Sequence, residues 1–251
     1  MLRRARPVVM LLGLGGSGLW PGPHALARLP SPAGEIDASI HTLAVDFQRH
    51  RAPLAGESET ASGRLYYLGP DRLLIHVQQP LEQILEIEPG HLKVFYPKSQ
   101  ESFDILTAAQ ETLPFFTFFF IAQRGEAEIS AAGYTISHHE SRGDTLFTYW
   151  DPPRKLRNEA GQAVLVSLVG DILSIQLKDR NDQPITQYAL TGWKKVSGQR
   201  FPSRVVIEVL QGPSSGVETV DYATPVLNEP PPDWVATFQI PADAVVRGLR
   251  F

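Results

Sequence analysis

The sequence predicts an α+β fold in which a curved or barrel-like antiparallel sheet is accompanied by an N-terminal helix and a helical insertion. The first observation is the segment 62–97, where short apolar-rich runs alternate with turns that contain proline or glycine. Such runs and turns are typical of an antiparallel meander. The second is the segment 172–178, where apolar and polar residues alternate with the period of two of a half-buried strand. The third is helical spacing of apolar residues within 35–49.

The individual elements follow from these patterns in chain order. Residues 35–49 are predicted as one amphipathic helix, because Ile36, Ile40, Leu43 and Phe47 recur every three or four residues. The four strands of the meander are predicted at 64–68, 72–77, 83–88 and 91–96. A helix is compatible with residues 126–132. Later strands are predicted at 134–138, 145–150, 163–169, 172–178, 185–191, 199–210, 217–224 and about 237–240.

A phenylalanine-rich segment, residues 112–122, interrupts the predicted strands. Five of the 12 phenylalanines of the chain lie between positions 115 and 120. In a helix, Phe115, Phe118 and Phe119 would share one face while the other two lie on another, and a helix that is apolar all round must be buried on several sides. Two interpretations stay open: the segment completes the core, or it packs on the sheet with one side and lines a pocket for an apolar ligand with the other.

The N-terminal 27 residues have the three parts of a secretory signal peptide. Three arginines precede an uncharged apolar run at 8–20, and Ala25 and Ala27 end the segment. The run is shorter than the about 20 residues that cross a bilayer. We therefore expect export, with cleavage after Ala27. Residues 28–251 are expected to form a single domain, because no repeat or internal linker divides them.

Composition narrows the classes of function. The 251 residues carry a formal net charge of −4, so no basic excess points to nucleic acid. The chain has no cysteine, which excludes disulfides, thiolate nucleophiles, cysteine-based metal sites and a lipid anchor on an N-terminal cysteine.

Three matches to chemical motifs are rejected on their context. Residues 13–18 read G-x-G-x-x-G but lie in the predicted signal peptide, outside any βαβ unit. Residues 212–216 read G-x-S-x-G but are flanked by predicted strands, which favours a hairpin loop over a nucleophile elbow. Residues 138–144 hold two adjacent histidines and two carboxylates, yet adjacent strand residues point to opposite faces, so a solvated strand end is favoured. We predict no catalytic residue, no cofactor, no metal and no enzyme activity.

With these residues in view, the chain resembles the LolA-type carriers of bacterial outer-membrane lipoproteins. The likeness covers about residues 35–100 and is carried, in order, by Phe47-Gln48, Ser62-Gly63-x-Leu65-Tyr66, Pro70-Asp71-Arg72-Leu73, Gln78-Gln79-Pro80, Glu82-Gln83-x-Leu85 and Pro89-Gly90-His91-Leu92-x-Val94-x-Tyr96-Pro97-Lys98. A later likeness, to proteins of the same superfamily that sort lipoproteins, lies in residues 193–204 and in Asn228 followed by Phe238-x-Ile240-Pro241.

The resemblance implies an open β half-barrel, capped by the N-terminal helix and a helical lid, that encloses a hydrophobic cavity for acyl chains. Such a carrier is a periplasmic monomer that takes acyl chains of lipoproteins, or of another lipid, from an inner-membrane release complex to an outer-membrane acceptor. Three of the expected ligand-binding residues match inward positions of the family, two follow by strand parity, and three phenylalanines are lid candidates. These residues are Leu73, Ile75, Val77, Leu65, Tyr67, Phe115, Phe118 and Phe119.

The sequence departs from the family at one position with a mechanical role. The carriers have an arginine just before the proline of the second turn, where it helps to hold the lid closed, and this chain has Gly69 there. Arg72 lies close by but is not the matching position.

Two alternative functions remain: a periplasmic sensor or regulatory protein of the same fold, and an enzyme using residues 138–144. A cavity lined only by apolar side chains favours the carrier, a packed interior favours the sensor, and polar groups that converge in a cleft favour the enzyme.

Overall fold

The computed structural model describes residues 39–69, 71–88, 91–106, 126–158, 160–212 and 215–247, and these are dominated by β strands. The strands of the first half are β1 (Leu43–Pro53), β2 (Glu59–Tyr67), β3 (Leu73–Gln79), β4 (Gln83–Glu88), β5 (His91–Tyr96) and β6 (Glu101–Leu106). Those of the second half are β7 (Thr135–Arg142), β8 (Thr145–Asp151), β9 (Ala163–Leu168), β10 (Asp171–Lys178), β11 (Pro184–Thr191), β12 (Lys194–Val196), β13 (Gln199–Phe201), β14 (Arg204–Val209), β15 (Gly216–Tyr222), β16 (Val226–Leu227) and β17 (Val245–Arg247). The helices are α1 (Glu126–Ala131) and α2 (Asp233–Ala236), with a 3-10 turn at Arg154–Leu156.

The strands form one 15-stranded sheet and a separate hairpin of β12 and β13. Two antiparallel meanders meet at its centre, because β1 pairs with β2 on one side and with β15 on the other. The order is β17-β6-β5-β4-β3-β2-β1-β15-β14-β11-β10-β9-β8-β7, with β16 beside the start of β1. Only β17, which pairs with β6, runs parallel to its neighbour among these strands. No pairing of the described strands joins β17 to β7, so the sheet is unclosed.

The antiparallel meander predicted over residues 62–97 is confirmed. Strands β2 to β5 follow one another in space as in sequence, each antiparallel to the next. The predicted hairpin around residues 212–216 is also confirmed, since β14 and β15 pair in antiparallel fashion on either side of it.

The predicted N-terminal helix is wrong where the structure describes it. Leu43, Val45 and Phe47 are buried while Asp46 and Gln48 are exposed, which is the alternation of a strand. Apolar residues four apart fit both a helix and a strand, and Val45 between them decides for the strand. Pairing with β2 and β15 then satisfies the backbone groups on both edges of β1. Residues 35–38 lie outside the described part of the chain.

The helical content is small in the described part of the chain. The predicted helix at 126–132 is confirmed by α1, whose Ile129 lies in the main core. Thr148 of β8 donates a hydrogen bond to Glu126 Oε1 at 3.1 Å, which joins α1 to the sheet. The phenylalanine-rich segment 112–122, with its predicted lid helix, lies outside the described residues. Among the residues described, no helix has the length and apolar character to cross a membrane.

The two faces of the sheet are buried in different ways. We call the face that carries Leu65 and Ile75 the inner face; its side chains, from both meanders, belong to one large buried cluster. We call the opposite face of β1 to β5 the outer face. Tyr66, Leu74 and Phe95 of the outer face form a smaller cluster with Val235 and Phe238 of the C-terminal segment, residues 228–247. This segment crosses the outer face and ends in β17 at the sheet edge.

Candidate functional site

The five predicted cavity residues on β2 and β3 lie together on the inner face. Leu65 is opposite Ile75, and Tyr67 is opposite Leu73. All five, Val77 included, are at most 2% exposed. The structure therefore brings together the strand residues of the predicted set, while Phe115, Phe118 and Phe119 lie outside the described residues.

Strand register extends this group into three rows that run across the first meander. The first row is Leu43, Tyr67, Leu73, Ile87 and Leu92. The second row is Val45, Leu65, Ile75, Leu85, Val94 and Phe103. The third row begins Phe47, Gly63, Val77 and Gln83. Side chains in the first two rows are buried, and the phenol of Tyr67 is their only polar group, so the inner face of β1 to β6 is an aliphatic and aromatic wall.

The third row ends in polar groups. Ile84 is opposite Phe95, so in this antiparallel ladder Gln83 faces Tyr96. Both side chains are buried, and neither Gln83 Oε1 nor Tyr96 Oη has a hydrogen-bond partner among the described residues. Burial, and next the negative charge of Glu101, raise the pKa of Tyr96 to about 12, so its hydroxyl keeps its proton. Sequence reasoning missed this pair, although strand parity places both residues on the inner face.

A buried ion pair occupies the inner face where the two meanders meet. Arg49 of β1 donates to Glu218 of β15 at 2.7 Å, and their side chains are 4% and 18% exposed. Burial, with a further contribution from the charge of Glu218, raises the pKa of Tyr188 and Tyr222 well above the ordinary tyrosine value. Both phenols are therefore neutral. The first two rows are thus apolar apart from the Tyr67 phenol, whereas the third row and the interior beside β15 are partly polar.

The outer face carries a second set of contacts, centred on Arg72. Its guanidinium donates to the carbonyl oxygens of Phe238 at 2.7 Å and Ala236 at 3.3 Å, and to Glu86 Oε1 at 2.9 Å. Around it, Trp234 packs edge-on against Tyr66, with 5.8 Å between ring centroids. Arg72 therefore fastens the C-terminal segment to β4.

The two histidines and Glu140 of the strand end at residues 138–144 each contact a different partner. His138 stacks on Tyr149 with ring centroids 4.1 Å apart, whereas Nδ1 of the adjacent His139 lies 3.2 Å from Thr148 Oγ1. Glu140 accepts two hydrogen bonds from Arg142, which hold the pKa of that carboxyl below its ordinary value. No group of three metal-ligating side chains lies close enough to hold an ion anywhere in the described ranges.

Comparison with known proteins identifies the architecture. No protein-family model matches the sequence, and the search of curated proteins gives no match. Three solved structures share the fold. A LolA superfamily protein from Nitrosomonas europaea has 12% identity and a TM-score of 0.50 over 83% of this chain and 92% of that one. The fold is LolA-like. A DUF1329 family protein from Desulfovibrio piger has 12% identity and a TM-score of 0.56 over 79% and 90%. An outer membrane lipoprotein-sorting protein domain from Vibrio parahaemolyticus has 14% identity and a TM-score of 0.54 over 85% and 93%.

The structure shows where the two later stretches that carry the sequence resemblance lie. Residues 193–204 contain the β12–β13 hairpin, in which Lys195 is opposite Arg200. Asn228 ties the start of the C-terminal segment to the chain before β1, because its Oδ1 accepts from His41 N at 2.8 Å and its Nδ2 donates to Ser39 O at 2.7 Å. Both stretches therefore have structural roles.

The glycine at the position of the family arginine has a conformational reason in this LolA-like chain. Gly69 has φ of +108°, which side chains with a Cβ rarely adopt. Arg72 N donates to its carbonyl at 3.4 Å within the turn between β2 and β3. An arginine at position 69 would be strained, and the arginine that is present, Arg72, serves the outer face instead.

Proposed function

We propose that this LolA-like protein is a carrier that binds acyl chains of lipoproteins, or of another lipid, against its inner face. The observation that carries the proposal is the aliphatic and aromatic wall formed by the first two rows on β1 to β6. Burial of a hydrocarbon chain is non-directional and contributes about 0.8 kcal/mol per CH₂. Such a wall therefore holds a chain firmly and still releases it to a better acceptor.

The proposal includes a half-barrel and a lid. One buried cluster unites inner-face side chains of both meanders, which supports a sheet that curls around a common interior. Phe115, Phe118 and Phe119 are the proposed lid residues. The protein works in the periplasm as a monomer, between an inner-membrane release complex and an outer-membrane acceptor, and catalyses no reaction. The name of the lipoprotein-sorting relative from Vibrio parahaemolyticus supports the choice of cargo.

The direct test is to purify the protein from its own periplasm and identify bound molecules by native mass spectrometry and lipid extraction. We expect co-purified lipid or lipoprotein, and displacement of a hydrophobic dye by an acylated peptide but not by the same peptide without its acyl chain. Recovery of no lipid together with no displacement contradicts the carrier.

A pair of adjacent variants locates the binding face. Ile75 and Leu74 are both fully buried, but they point to the inner and the outer face respectively. Each alanine substitution is expected to lower stability by about 2–5 kcal/mol. Only Ile75→Ala is expected to change dye and acyl-peptide affinity when both variants are measured under folding conditions. Equal effects of the two variants on affinity would move the ligand away from the inner face.

The sensor alternative is supported by the sheet edge at β7. This strand has eight residues, nearly all exposed, and it ends the order of the described strands. An exposed edge strand is a template for strand addition by a partner protein. Co-purification of a protein that His139→Pro disrupts, with no lipid recovered, would favour this function over the carrier.

A further inference from the structure

We propose that Gln83 and Tyr96 recognise a polar group on the ligand that carries a hydrogen-bond donor beside an acceptor, at the end of an alkyl chain. The proposal deepens the carrier function and rests on it. It names the chemical class of cargo: an amide-linked acyl chain or a chain that bears a hydroxyl group, as opposed to a simple ester or a hydrocarbon.

Gln83 is 3% exposed and Tyr96 is 7% exposed. Gln83 Oε1 and Tyr96 Oη have no hydrogen-bond partner among the described residues. Buried side-chain polar atoms in folded proteins are nearly always hydrogen-bonded, because an unmade bond is costly. Two such atoms on facing residues indicate groups that are available to a ligand, since no described residue of the protein satisfies them.

Gln83 and Tyr96 are neighbours across the β4–β5 ladder, because the register that puts Ile84 opposite Phe95 leads one residue further to this pair. Residues directly opposite in such a ladder have Cβ atoms about 4.5–5.5 Å apart. Gln83 and Tyr96 belong to the third row, beside Val77 and directly next to the apolar second row. An alkyl chain that runs along the direction of β4 and β5, across the first two rows, would therefore bring its polar end to this pair. Gln83 is the first residue of β4, directly after the turn that follows β3.

The hydrogen-bonding chemistry of the two atoms limits the ligands that can satisfy both. Gln83 Oε1 only accepts, so it requires an N–H or O–H group on the ligand. The hydroxyl of Tyr96 keeps its proton and can donate to a carbonyl or hydroxyl oxygen. A secondary amide or an alcohol satisfies both atoms. An ester satisfies Tyr96 alone and leaves the carbonyl oxygen of Gln83 without a partner.

The test uses the mature full-length protein and three probes of matched chain length: N-methylhexadecanamide, hexadecanol and methyl hexadecanoate. Affinity is measured by displacement of a hydrophobic dye. The amide, the alcohol or both are expected to bind about three- to tenfold more tightly than the ester, the effect of one hydrogen bond. Whichever of the two binds more tightly identifies the polar group of the natural ligand.

Variants assign the preference to the two residues. Gln83→Leu is expected to lower the affinity for the favoured probe to the affinity for the ester. The affinity for the ester itself should not fall. Tyr96→Phe is expected to weaken the binding of every probe that offers a hydrogen-bond acceptor. Gln48→Leu is the matched control, because Gln48 is exposed on the opposite face of β1, and it should leave the preference unchanged.

The outcomes separate this inference from the carrier function. Equal affinity for all three probes overturns the polar recognition and leaves the carrier intact, whereas binding of none overturns both. The stability of Gln83→Leu is an independent check, since removal of an unpartnered buried carbonyl should leave the urea midpoint unchanged or raise it. A clear fall in that midpoint would show that the protein itself satisfies Gln83 and would overturn the inference.

Discussion

Replacement of Arg72 by methionine should release the C-terminal segment from the outer face. Arg72 is 25% exposed, and Glu86, its partner, is only 8% exposed. Without Arg72, the nearest cation to Glu86 is Lys93 at 4.0 Å, which already binds Glu88 at 2.6 Å. The carbonyl oxygens of Ala236 and Phe238 lose their donor at the same time.

The expected loss follows from these contacts. Breaking a buried ion pair costs about 3–5 kcal/mol, because it leaves an uncompensated buried charge. Solvent screens the partly exposed guanidinium and water can replace it at the two carbonyls, so we expect about 2–4 kcal/mol in total. The measurements are the free energy of unfolding in urea and amide hydrogen exchange of residues 235–245. Those amides should exchange faster than the amides of β10 and β11 at the same destabilisation.

Two further variants test whether Arg72 fastens the C-terminal segment. Arg204 pairs with Asp221 in bidentate geometry on the surface, with side chains 54% and 47% exposed, so Arg204→Met should lower the free energy of unfolding far less than Arg72→Met does. Combining Arg72→Met with Glu86→Leu should recover part of the stability, while exchange in the C-terminal segment stays fast. If Arg72→Met costs no more than Arg204→Met, or exchange of residues 235–245 is unchanged, Arg72 does not fasten the segment.

Three other predictions follow from single contacts. Gly63→Ala should lower the free energy of unfolding, measured in urea, by at least about 3 kcal/mol, because the added Cβ would overlap the backbone of β3. Gly69→Ala has open space around its Cβ and should cost only about 1 kcal/mol of backbone strain. Similar losses for the two variants would contradict this. Arg49→Met should cost about 3 kcal/mol by leaving Glu218 unpaired in the interior, and a second substitution Glu218→Leu should restore most of it. Burial raises the pKa of Tyr134 to about 12, so the unfolded chain releases this proton near pH 10 and the folded one does not. The free energy of unfolding should therefore fall between pH 10 and pH 12, and Tyr134→Phe should flatten that slope.

The elements that were predictable are those whose signal is local. Turn residues bound the strands of the 62–97 meander, and parity within β3 places Leu73, Ile75 and Val77 on one face without any knowledge of the rest of the chain. The wrong prediction of a helix over residues 35–49 also came from a local pattern, the spacing of apolar residues. Leu43 and Phe47 fit a helix and a strand equally; Val45 between them favours the strand, and pairing with β15, whose Tyr222 lies opposite Phe47, stabilises it.

By itself, the sequence determined that the chain is rich in antiparallel strands, which residues of the meander share a face, and that the fold is LolA-like. Only the tertiary structure decided which residues contact the side chains on each face of the sheet. Arg72 contacts Phe238 across 166 residues of sequence, and Arg49 meets Glu218 across 169. Gln83 and Tyr96 become a pair only through the ladder between β4 and β5. Periodicity sets the direction of a side chain relative to its own strand, whereas its partner depends on long-range pairing that no local pattern encodes.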